Sequence, residues 1–199
     1  MNPAEEIRDS LRCFRRRGIR RWGSQRAAVA VTVVTGVDGP AVLLTRRAGS
    51  LGATSGQLAL PGRRTGRWES ASRAACGQLA EDLGIYLSPQ SVLGSLDDCL
   101  IRGGVVITPV VVWAGSGGME QELLAVPFTD LDVEPVFLAS AGSDRSMIRL
   151  PLHGEWLLAP TAAILHQFRE VVLHRRRTRV AHLSPLPHSA GSARLSGRR

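Results

Sequence analysis

The chain contains no lysine: all 25 of its basic side chains are arginines, set against 17 acids for a formal net charge of +8. An arginine-only basic set reads as the mark of a GC-rich coding sequence rather than of selection for guanidinium chemistry. The charge is also unevenly placed. Residues 1–26 hold eight Arg against three acids and residues 169–199 eight Arg against one, whereas residues 27–168 hold nine Arg against thirteen acids. The part with a core pattern is acidic, so nucleic-acid binding is not expected of it. Long apolar runs are missing too. The longest, Ala27 to Val34 with Thr32 inside it, falls well short of the ~20 residues of a membrane-spanning helix. Glu5, Glu6 and Asp9 stand where a secretory signal needs positive charge, and a cytoplasmic location follows as the expectation. Cysteine is scarce: Cys13, Cys76 and Cys99 are odd in number and form no C-x-x-C pair, which argues for reduced thiols and against a disulfide framework or a zinc site.

What is present suits one domain of ordinary size, 199 residues with 44% hydrophobic content. Asn2-Pro3-Ala4-Glu5 reads as a helix start, with Ile7, Leu11 and Phe14 at helical spacing behind it and Arg15, Arg16 and Arg17 as a solvated helix end. From Ala27 the pattern turns to β. Segments 27–34 and 41–45 form a hairpin about Gly36, Asp38, Gly39 and Pro40, and a short strand follows at 57–60. A loop over 61–68 leads to a helix over 70–83 that Gly84 ends. Further strands are predicted at 92–96, 105–114, 123–126, 136–139 and 147–152, with a closing helix at 162–173. Strands and helices mix without a regular βαβ alternation, which predicts an α+β fold or an α/β/α sandwich with a mixed sheet. Three segments result: an N-terminal amphipathic helix and basic linker over 1–26, one domain over 27–174, and a disordered arginine-rich tail over 175–199.

Chemistry concentrates between Leu60 and Ile85, LPGRRTGRWESASRAACGQLAEDLGI. At roughly 100° per residue, Gln78, Glu81 and Asp82 fall within an arc of about 100°, alongside Ala71 and Ala74. Two carboxylates and an amide on one face are oxygen donors suited to a hard cation such as Mg²⁺, although a Glu-Asp pair alone is more often a solvated helix face.

The order of these residues resembles the Nudix box: Gly, five residues, Glu, seven residues, Arg-Glu, a bulky aliphatic, any residue, Glu-Glu, any residue, Gly and a final aliphatic. Aligned on Gly84, the chain has Glu69, Leu79, Glu81, Gly84 and Ile85 in place, with Asp82 a conservative sixth. Arg63 stands in place of Gly, Gly77 in place of Arg and Gln78 in place of Glu. The stretch from Leu43 to Arg47, then Gly56-Gln57 and Leu60-Pro61-Gly62, is similar to the element that precedes the box in coenzyme A diphosphatase-like Nudix proteins. Val105 to Val111 resembles their central strand, and Trp156 to Leu165 the approach to their closing helix.

The resemblance implies a Nudix-type α/β/α sandwich that hydrolyses a nucleoside diphosphate derivative, coenzyme A or a related compound, with Mg²⁺ or Mn²⁺. A small-molecule nucleotide would be the partner. By position, Glu81, Asp82 and Gln78 become metal ligands and catalytic groups with Glu69. Arg46, Arg47, Gly62 and Arg63 become substrate-binding residues, and Glu120 or Glu122 a source of one more acid. Gln78 brings no charge and cannot act as a base, which implies reduced activity or a catalytically silent scaffold that binds a nucleotide or protein partner. Gly77 removes the arginine that steadies the box glutamate, a loss for which Arg73, four residues after Glu69, is the sequence's candidate replacement. Gly52 stands where the coenzyme A-associated element usually has an Arg. Trp68, beside the box, is a candidate for stacking on a base.

Overall fold

A computed structural model of the chain describes residues 2–20, 23–46, 56–101, 103–116, 123–139 and 146–180. In chain order the elements are α1 (Pro3–Phe14), β1 (Arg26–Gly36), β2 (Gly39–Arg46), β3 (Leu58–Ala59), β4 (Gly62–Arg64) and α2 (Ala71–Leu83). Then come β5 (Val92–Ser95), β6 (Cys99–Leu100), β7 (Val106–Gly115), β8 (Leu123–Pro127), α3 (Phe128–Leu131), β9 (Val136–Ala139), β10 (Ser146–Leu152), β11 (Glu155–Leu158) and α4 (Thr161–Phe168). The closing helix predicted over 162–173 is α-helical only to Phe168, and Arg169–Leu173 widens into a π-turn.

β1 is central because its residues are apolar on both faces. Val29, Val31 and Val33 point into the main core, while Ala28 and Ala30 point to the other side of the sheet. β1 runs parallel to β7 and antiparallel to β2, and its N-terminal half takes β4 where β2 has ended. β8 lines the far side of β2, and β5 and β6 pair with β7. The sheet is therefore mixed and the fold class α+β, as the element order predicted. β9, β10 and β11 make a separate antiparallel meander. Its Ile148, Leu150, Leu152 and Leu157 join α1 and α4 in the main core, and α2 covers the opposite face of the central sheet.

α1 begins as read, with the Asn2 side chain accepting the Ala4 N–H and Pro3 in the first turn. Ile7, Leu11 and Phe14 are buried, so the helix is part of the domain rather than an appendage to it. Of the arginines after it, Arg15 and Arg17 are exposed, as a solvated helix end requires, but Arg16 reaches back to a buried acid. Arg16 donates to Asp98 Oδ1 (2.5 Å) and to the Leu96 carbonyl (3.1 Å), and Arg26 donates to Asp98 Oδ2 (3.0 Å). Asp98 also accepts from the Ile19 N–H and the Thr108 hydroxyl, so this buried carboxylate is fully hydrogen-bonded.

Packing also continues past the tail boundary drawn at 174/175. Arg179 pairs with Asp97 and Val180 is fully buried, while residues 181–199 lie outside the described residues. Among the described residues, no helix is long and apolar enough to cross a membrane. Cys13, Cys76 and Cys99 are free thiols, and burial pushes the Cys99 thiol up to about 12.

Candidate active site

α2 carries the candidate residues, and its ends are set by short-range chemistry. Ser70 caps the N-terminus by accepting the Arg73 N–H (3.2 Å), and Gly84 leaves the helix in the left-handed region at φ 63°. That turn lets the N–H groups of both Gly84 and Ile85 reach the Leu79 carbonyl. Ala74, Ala75 and Leu79 bury against Ala28, Ala30, Val110 and Val112. Alanine faces alanine across this interface, so the helix sits close to the sheet. Ala74, which the helical projection set alongside the carboxylates, is accordingly buried core.

Near the C-terminal end of α2, Glu81 and Asp82 are exposed and Gln78 half-buried. The Gln78 amide donates to Asp82 Oδ2, which leaves the Gln78 carbonyl and the other carboxylate oxygens as acceptors. Glu81 and Asp82 form no ion pair among the described residues. No group of three or more His, Cys, Asp or Glu side chains there is placed to hold a metal ion. Two carboxylates and an amide oxygen still match the needs of Mg²⁺, which is held by one or two carboxylates and keeps its other positions for water and phosphate oxygens.

Glu69 precedes the helix and is held from two sides. Its Oε2 accepts the Gly66 N–H (3.0 Å) and Arg63 Nη1 (3.0 Å), and its Oε1 accepts Arg63 Nη2 (2.7 Å). The Gly66 N–H and then the Arg63 guanidinium hold its carboxyl below the usual range. The predicted loop over 61–68 is partly a strand: Gly62 and Arg63 belong to β4 and pair with Val29 and Ala28. Both terminal nitrogens of Arg63 are engaged with Glu69. At Gly62, an added Cβ would lie 2.5 Å from the Ala28 carbonyl oxygen and 2.6 Å from Val29 Cγ1. The glycine serves strand packing. Arg73 makes no side-chain hydrogen bond to Glu69, and Arg63 takes the part the sequence assigned to it.

Arg46 is also committed. It donates to both oxygens of Glu155 (2.6 and 3.3 Å) and to the Gly56 carbonyl (3.0 Å), tying β2 to β11. This pairing raises the Arg46 pKa and lowers that of Glu155. Trp68 is 91% exposed, with the Arg67 guanidinium 5.5 Å from its ring centre. Arg47, Gly52, Glu120 and Glu122 lie outside the described residues. A cleft of about 750 Å³ that no motif signalled runs along the other flank of α2, bordered by Arg73, Cys76, Gly77, Tyr86 and Leu87. Gln78, Glu81 and Asp82 do not line it.

No protein-family model matches this chain, and no curated protein does. Similar solved structures include a MutT/nudix family protein from Enterococcus faecalis, at 18% identity and a TM-score of 0.49. That match covers 79% of this chain and 63% of the other, so this chain spans less than two thirds of it. The Nudix hydrolase RenU from M. smegmatis is 21% identical over 78% of this chain and 90% of its own, at a TM-score of 0.47. The NUDIX domain of Shewanella oneidensis NrtR, solved with ADP ribose, is 18% identical over 56% and 77%, at 0.44.

Proposed function

We propose that this chain is a Nudix-type pyrophosphohydrolase of a nucleoside diphosphate derivative, possible substrates being coenzyme A and related compounds. The observation that carries the reading is the face of Gln78, Glu81 and Asp82 at the end of a helix entered through Glu69 and left through Gly84. The donor set fits Mg²⁺ or Mn²⁺, and a divalent ion bound there would offset the charge of the phosphoryl oxygens. Glu81, exposed and unpaired among the described residues, would take the proton of an attacking water in this reading. Asp82 presents a carboxylate oriented by the Gln78 amide. Glu69 anchors the entry to the helix, so its role is positional. Gln78 supplies a carbonyl oxygen but no charge, and slow turnover follows from that.

A second reading, a catalytically silent Nudix scaffold that binds a nucleotide or a protein, is favoured by one observation. Asp82, a proposed ligand, already accepts a hydrogen bond from a residue that brings no charge of its own. A panel of nucleotide derivatives, coenzyme A included, tested for product release with Mg²⁺ and Mn²⁺ separates the two. Release abolished by Glu81→Gln supports hydrolysis, whereas binding of a panel member without release supports the scaffold.

A further inference from the structure

We propose that Arg63 and Gly77 form one reciprocal exchange, in which Arg63 of β4 is the positioning residue for Glu69 and residue 77 is glycine to make room for it. The proposal deepens the reading of this site and rests on it for what the helix carboxylates do, though not for the exchange itself.

By sequence these positions are two separate departures from the box, a glycine lost and an arginine lost. In space they meet. An added Cβ on Gly77 would lie 3.0 Å from Arg63 Nη2 and 3.8 Å from the guanidinium carbon. The same Nη2 is 2.7 Å from Glu69 Oε1, with Nη1 3.0 Å from Oε2. The guanidinium therefore lies over the helix at the point where a side chain on residue 77 would begin. An arginine starting from that point is within reach of Glu69, so either position can supply the cation. Both cannot, because two guanidinium groups would share one carboxylate and one space. Arg63 is only 30% exposed and Glu69 17%, and the fork geometry matches two nitrogens to two oxygens. The cation has moved from the helix to the neighbouring strand, and it now ties β4, the 65–69 turn and α2 together. Of the three departures from the box, Gln78 is the one for which the described residues offer no compensating partner.

The test compares R63G, G77R and the double variant R63G/G77R in the full-length chain, with R63Q in reserve should R63G not fold. Thermal unfolding, NMR titration of the Glu69 carboxyl and Mn²⁺ calorimetry are read on each. Each single change should lower the melting temperature by about 4 °C or more, and the double variant should recover most of that loss. Glu69 should titrate nearer its ordinary range in R63G or R63Q and return to its low value in the double variant, an effect that lost packing alone would not produce. Additive losses in the double variant, or a Glu69 titration indifferent to residue 63, would overturn the exchange. Rescue of stability and titration without Mn²⁺ binding in any variant would uphold the exchange and count against the metal-dependent reading.

Discussion

Arg179 Nη1 lies 2.8 and 3.0 Å from the two carboxylate oxygens of Asp97, a residue 82 positions earlier in the chain. Its guanidinium also stacks 4.4 Å from the centre of the Phe14 ring and donates to the Phe14 and Arg15 carbonyls. One side chain thus joins the C-terminal segment to α1 and to the turn before β6. Composition predicts that removing residues 176–199 costs nothing; the structure predicts the reverse. Deleting 176–199, or the point change Arg179→Ala, should cost about 3 kcal/mol, because Asp97 is left buried with a charge unpaired. Urea unfolding of both variants measures it, and an unchanged midpoint would mean the segment is not docked.

Gly62→Ala should destabilise by about 1–3 kcal/mol, since the new methyl meets backbone and a valine in the core of the β1–β4 pair. Fluorescence-detected unfolding is sufficient to measure this. A neutral result would show that β4 can lift away from β1.

Acidification should weaken the fold through His166, which is 8% exposed with Nδ1 buried and unpartnered among the described residues. Burial lowers its pKa from the ordinary 6.5, against an opposing pull from Glu170. The unfolded chain therefore takes up a proton that the native one refuses. Stability is complete above about pH 6.5 and falls as pH drops toward the lowered native value, by at most about 1.4 kcal/mol per unit. Unfolding midpoints at pH 7.5 and 5.5 in the wild type and in His166→Phe should show a pH difference that shrinks in the variant. Parallel curves would assign the acid sensitivity elsewhere.

Gln78→Glu should tighten Mn²⁺ binding, and, if the protein turns over nucleotide derivatives, raise the rate by about 10²–10³. Glu81→Gln in the same background should abolish both. Calorimetry and product release are the readouts. Gly77→Arg alone should bring no such gain, because Arg63 already holds that space and already steadies Glu69.

Much of the architecture was legible in the sequence because local rules produce it. Asn2-Pro3 starts α1, Ser70 and Gly84 bound α2, and the glycines at 36 and 39 turn β1 into β2. The helical spacing of Gln78, Glu81 and Asp82 sets them on neighbouring positions without help from the rest of the fold. Short strands escaped for the opposite reason. β4, β6 and β11 hold three, two and four residues, and each exists only because a longer neighbour supplies its hydrogen bonds. Arginine roles were the least legible. In a chain with no lysine, Arg16, Arg26, Arg46, Arg63 and Arg179 look alike, and what separates them is a carboxylate brought near by folding. Asp98, Glu155, Glu69 and Asp97 lie between 6 and 109 positions away from the arginines they pair with. Periodicity governs which face of one element a residue occupies. Which charge meets which depends on how separate elements pack, and only the tertiary structure decides that.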